Sequence, residues 1–148
     1  MDDKVSKYFP DLQRAADITL DDLGGHVAGY PDYYPLDFLD ERSRHPIAPD
    51  DLLRRYATGK LDFEPRSRWS YSNTGFILLA RAIEKASGQP LGDLLATRIF
   101  GPVGMAHASY DPKVGSLGLA QGYEAFAMSD PEPAEREATG WMGGAGAI

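Results

Sequence analysis

Apolar positions along this chain repeat with a helical period in two places. From Thr74 to Ser87, the residues Phe76, Ile77, Ala80, Ile83 and Ala86 recur three and four apart, which predicts an amphipathic helix with those side chains on its buried face. Ser72 or Asn73 is placed to cap its start, Gly88 to end it in a left-handed conformation, and Pro90 to forbid its continuation. Leu91, Leu94, Leu95 and Ile99 predict a second helix, begun near Pro90 and stopped by Gly101-Pro102. Pro49-Asp50-Asp51 opens a third, acidic in its first turn and closed by Arg54-Arg55, as the helix dipole favours. Thr19-Leu20-Asp21-Asp22-Leu23 carries a Thr-x-x-Asp capping pattern, and Gly24-Gly25 ends that helix after about one turn. After Gly101 the pattern breaks into turns, with short strands expected at 120–124 and an extended surface loop at Pro131-Glu132-Pro133. The fold class expected is mainly α with short strands and long loops.

Composition narrows the functional classes. The 148 residues suit one domain, and no linker or repeat divides them. Fifteen Lys and Arg against 22 Asp and Glu give a net charge of −7, which argues against nucleic acid as a partner, because phosphate binding needs clustered cations. The chain has no cysteine, so disulfides, thiolate nucleophiles and Cys-based zinc sites are all excluded, while cytosol and periplasm both stay open. The longest apolar run, Phe76 to Ala80, is far too short for a membrane span. The charged start at Met1-Asp2-Asp3-Lys4 does not read as a signal peptide, and the chain is expected to be soluble.

The densest chemistry lies at Tyr71-Ser72-Asn73. In an extended segment, residues two apart point the same way, so Tyr71 and Asn73 can present a phenol and an amide to one ligand while Ser72 faces away. The same letters also serve a helix cap beside a half-buried aromatic. A divalent metal such as zinc is a second possibility. His26, His45 and His107, with Asp32 and the nearby Asp37, Asp40 and Glu41, are the available ligands for an ion that would generate hydroxide. No compact His-x-x-x-His spacing supports it, and His26 reads more readily as a structural turn contact, His45 and His107 as solvated loop residues. The run Tyr30-Pro31-Asp32-Tyr33-Tyr34-Pro35 is expected to pack between short elements, with a ligand groove as the alternative.

Phe63 through Tyr71-Ser72-Asn73 to Phe76 resembles the second active-site motif of the serine β-lactamase and penicillin-binding-protein superfamily. The resemblance is closest to the class C-like branch of D-alanyl-D-alanine carboxypeptidases and esterases. Val5 to Pro10, Ile18 through His26 to Gly29, Ile83 to Pro90, Ile99 to Met105 and Gly143-Gly144 resemble further segments of that family in order. The resemblance implies a helical subdomain of the β-lactamase/transpeptidase-like fold without most of its α/β domain. It would be a single truncated domain, with 1–119 helical and 120–148 an irregular connection. It also implies that Tyr71 supplies a base, that Asn73 contacts a substrate amide, that substrates are small esters or amides, and that no cofactor is needed. The parent family is often periplasmic or secreted.

In that family a Ser-x-x-Lys motif supplies the nucleophile and a later Lys-Thr-Gly or His-x-Gly strand holds the substrate. No serine here is followed three positions later by lysine, so these residues are not expected to run the family's acyl-enzyme mechanism unaided. Three readings follow: a piece of a serine hydrolase, a metal-dependent ester or phosphoester hydrolase built on that piece, or a non-catalytic module. Faces that would pack on a missing sheet are expected to recruit a second copy or a companion fragment. Arg66 stands where the family has a turn glycine after Pro65.

Overall fold

The computed structural model describes residues 1–34, 41–111, 118, 120–125, 128–134, 138 and 140–148, with Glu41 as backbone alone. In chain order the helices are α1 (Leu20–Gly24), α2 (Pro49–Tyr56), α3 (Asn73–Ser87) and α4 (Leu91–Leu95). A π-helical turn at Ala96–Phe100 prolongs α4.

Each boundary has a local cause. Thr19 caps α1 through a reciprocal box: its hydroxyl accepts from the Asp22 backbone N–H at 3.1 Å, and the Asp22 carboxylate accepts from the Thr19 N–H at 2.9 Å. Pro49 occupies the first turn of α2, where its missing N–H costs nothing. Gly88, at φ 70°, ends α3 in the left-handed conformation that side-chain-bearing residues resist.

The 15-residue helix α3 is the axis of packing. Its buried positions include Thr74, Gly75, Ile77, Leu78, Ala80 and Ala82. Ile83, expected on that face, is instead 47% exposed, and Ala86 is also exposed. The reason is that two neighbours cover different flanks. Gly75 lies against the Leu23 carbonyl of α1, where a Cβ would stand 3.1 Å from that oxygen. Gly144, in a 3₁₀ turn at Gly143–Ala145, meets α3 so closely that a Cβ would fall 2.4 Å from Ala80 Cβ and 2.6 Å from the Phe76 carbonyl.

The core continues through Val5, Ile18, Tyr30, Tyr33, Leu52, Leu53 and Trp141. Tyr30 and Tyr33 are 3% and 2% exposed, so this part of the tyrosine-rich run packs inward rather than lining a groove. The Tyr30 hydroxyl donates to the Gln13 carbonyl at 3.0 Å, and burial pushes its pKa up to about 12. Tyr33 donates to the Trp141 carbonyl, and the Trp141 indole donates to the His45 carbonyl at 2.6 Å.

Beyond the helices, Tyr123–Glu124 (β1) pairs antiparallel with Glu132–Pro133 (β2), placing Glu124 opposite Glu132. The extended surface loop expected at 131–133 is extended and exposed at 132 and 133, which also pair with β1. Among the described residues no helix is long and apolar enough to cross a membrane.

Candidate functional site

Residues 70–72 reach α3 as an irregular, strand-like lead-in segment, extended at Ser72, that docks on His26. The Ser70 N–H donates to the His26 carbonyl at 3.0 Å, and the Ser72 N–H donates to His26 Nδ1 at 3.2 Å. An Nδ1 that accepts carries no proton, so the ring proton of the neutral imidazole sits on Nε2. His26 takes φ 58°, a left-handed turn after Gly25, and this turn carries its ring back over the segment. The ring lies 4.5 Å from that of Tyr71, 5.2 Å from Phe76 and 5.8 Å from Trp69.

Tyr71 and Asn73 sit on one side of this segment and Ser72 on the other, as alternation requires. The Tyr71 hydroxyl donates to Asn73 Oδ1 at 3.1 Å. Tyr71 is 53% exposed whereas Asn73 is 8% exposed, so a solvent-facing phenol rests on a clamped amide. Ser72 is the N-cap residue of α3 but makes no capping bond, and its buried Oγ has no hydrogen-bond partner among the described residues. The cap comes from the loop before residue 35. Asp32 Oδ1 accepts from the Asn73 backbone N–H at 3.0 Å, and Asn73 Nδ2 lies 3.3 and 3.1 Å from the two carboxylate oxygens. No local spacing announces this cap, because its donor and acceptor are 41 residues apart. Thr74 adds a second tie to the same loop, donating to the Pro31 carbonyl at 2.6 Å.

The histidine and carboxylate set His26, His45, His107 and Asp32 is not brought together. Among the described residues no three His, Asp or Glu side chains converge as metal ligands. His26 Nδ1 is engaged by Ser72, and Asp32 is engaged by Asn73 and by the Tyr34 N–H at 3.2 Å. His45 and His107 are exposed on separate loops. Asp37 and Asp40 lie outside the described residues, as does the Glu41 side chain.

A cleft of about 280 Å³ opens on another flank of α3, between Ile47, Ile77, Arg81, Glu84, Tyr110 and Gly144. Neither Tyr71 nor Asn73 lines it. Two of its charged groups, Arg81 and Glu84, are paired with each other, and Arg81 also pairs with Asp50 at 3.0 Å. Burial and the nearby Glu84 and Asp111 carboxylates push the Tyr110 pKa up to about 12.

Comparison with known proteins gives a consistent set of relatives. The family model described as Beta-lactamase matches residues 1–148. A penicillin-binding protein of Bacillus subtilis is 38% identical over 106 residues, covering 70% of this chain and 23% of its own length. A D-aminopeptidase of Brucella anthropi is 35% identical over 153 residues, covering 99% of this chain and 28% of its own. The chain thus spans less than a third of either curated relative. Among solved structures, the D-amino acid amidase of Ochrobactrum anthropi SV3 with L-phenylalanine has a TM-score of 0.61 at 31% identity, over 74% of this chain and 30% of that one. FmtA from Staphylococcus aureus has a TM-score of 0.77 at 24% identity, over 99% of this chain and 40% of that one, a likeness of fold.

Proposed function

The chain belongs to the beta-lactamase family, and from that premise we propose that it carries the tyrosine–asparagine half of a serine-hydrolase site acting on amides of D-amino acids. The reaction is acyl transfer: a nucleophilic hydroxyl attacks the amide carbon, the C–N bond breaks, and the leaving nitrogen gains a proton. Tyr71 is assigned the proton movement, because its phenol is the exposed titratable group of the motif. Asn73 is assigned the orientation of the substrate amide. Relatives named D-aminopeptidase and D-amino acid amidase support the substrate class. The nucleophile lies outside this half-site, since no serine here is followed three positions later by lysine. Residues 1–148 are therefore assigned no acyl-enzyme chemistry of their own.

The observation that carries this reading is the 3.1 Å contact between an exposed phenol and a buried amide at the start of α3. The test is a chimera in which residues 1–148 replace the aligned segment of the Brucella anthropi D-aminopeptidase. A folded chimera should hydrolyse D-alanine amide faster than the L-enantiomer. Tyr71→Phe should then lower kcat by about 10²- to 10⁴-fold, the range for a lost proton-transfer group. A chimera with native-like circular dichroism that is indifferent to Tyr71→Phe would sink the assignment.

A further inference from the structure

Asp32 does more for Asn73 than begin a helix. Its carboxylate meets both the backbone N–H and the side-chain Nδ2 of Asn73, at 3.0 to 3.3 Å. A carboxylate only accepts, so the amide must turn its nitrogen toward Asp32 and its oxygen away. That oxygen is the atom that meets the Tyr71 hydroxyl at 3.1 Å. A carbonyl oxygen only accepts as well, so the proton in that contact belongs to the phenol. The opposite orientation would set amide oxygen against carboxylate oxygen at a site where Asn73 is 8% exposed, leaving the amide oxygen and Asp32 Oδ2 facing each other with no proton between them. Asp32 is itself held in place, because its Oδ1 also accepts from the Tyr34 N–H two residues on, as an Asx turn.

We propose that Asp32 is a positioning residue of the half-site. It fixes the Asn73 amide so that its oxygen faces Tyr71 and keeps the Tyr71 hydroxyl a donor. This inference rests on the assignment of Tyr71 and Asn73 made above. Its effect passes through Asn73 in a defined direction: the acceptor at Asp32 dictates the donor at Tyr71.

Nuclear magnetic resonance on the labelled 148-residue chain tests it without any turnover. A scalar coupling should connect Asn73 Nδ2 with Asp32 Cγ, and the Asn73 amide protons should show no Overhauser contact with the Tyr71 ring. Asp32→Asn keeps an oxygen for the Asn73 backbone N–H, so α3 retains its cap. It also places an amide donor where the second acceptor stood, so the Asn73 group should turn and its protons gain contacts with Tyr71. In the chimera the same substitution should lower kcat about 10- to 100-fold, the loss expected of a reacting group displaced by ~1 Å. KM should rise as well, because the turned amide no longer orients the substrate. Amide protons facing Tyr71 in the unsubstituted chain, or an amide that does not turn in Asp32→Asn, would overturn the proposal. Loss of turnover in Tyr71→Phe would then leave the half-site assignment standing. A fully active Tyr71→Phe chimera would instead remove that assignment and reduce Asp32 to a helix cap.

Discussion

The guanidinium of Arg66 lies 2.6 Å from the carboxylate of Asp22, tying the loop before the Tyr71 segment to α1 across 44 residues. Burial alone would push the Asp22 pKa up, but the Thr19 backbone and hydroxyl and the Arg66 charge outweigh it and hold the group below its ordinary 3.8. A carboxylate whose folded pKa is depressed contributes stability above its unfolded pKa and loses it as pH falls through the folded value. Stability against urea should therefore fall below about pH 4, and the decline should be shallower in Asp22→Asn. An identical decline in the variant would show that other carboxylates control it.

Arg66 itself sits at φ 65°, and its N–H donates to the Val27 carbonyl at 2.7 Å. A non-glycine residue there carries strain of about 1–2 kcal/mol. Glycine relieves that strain while alanine keeps it, and both lose the ion pair with Asp22. Arg66→Gly should thus be more stable than Arg66→Ala by roughly 1 kcal/mol, after the entropy that glycine adds to the unfolded chain is counted. Thermal unfolding of the two variants gives the order directly, and the reverse order would mean the turn is not strained.

The approach of Gly144 to α3 leaves no room for a methyl group. Gly144→Ala should lower stability by about 1–3 kcal/mol through overpacking. Adding Ala80→Gly should recover part of that loss, since Ala80 Cβ is one of the two atoms struck, and a double-mutant cycle would read the coupling. Additive effects would place the clash elsewhere.

Zinc added to the chain should give no saturating one-to-one heat in calorimetry. The four residues His26, His45, His107 and Asp32 stand on separate elements, and two of them already hold α3 and its leading segment. Stoichiometric binding abolished by His45→Ala or His107→Ala would contradict that geometry.

Helix limits were legible wherever the chain carries its own stop signal. Thr19 with Asp22, Pro49 at the start of α2, and Gly88 before Pro90 all act within a few residues of the element they define. The alternation that puts Tyr71 and Asn73 on one side is equally local. Contacts set by distant chain were not legible. Asp32 replaces Ser72 as the cap of α3, the flanks covered by α1 and the 3₁₀ turn leave Ile83 in solvent, and 132–133 pair with 123–124. Spacing within one element says which residues share a face; it does not say which neighbour will cover that face.

The bonds that Trp141 makes with Tyr33 and His45 join positions 108 and 96 residues apart. On a ribosome adding roughly 5–20 residues per second, Tyr33 waits about 5–20 seconds before Trp141 exists to receive its hydroxyl. Until then the flank of α3 that Gly144 will cover stays open to water and to other nascent chains. Closure is a late, long-range event with the slow kinetics of high contact order. The helices can form as they emerge, but the core beside Tyr33 cannot close before Trp141 has been made.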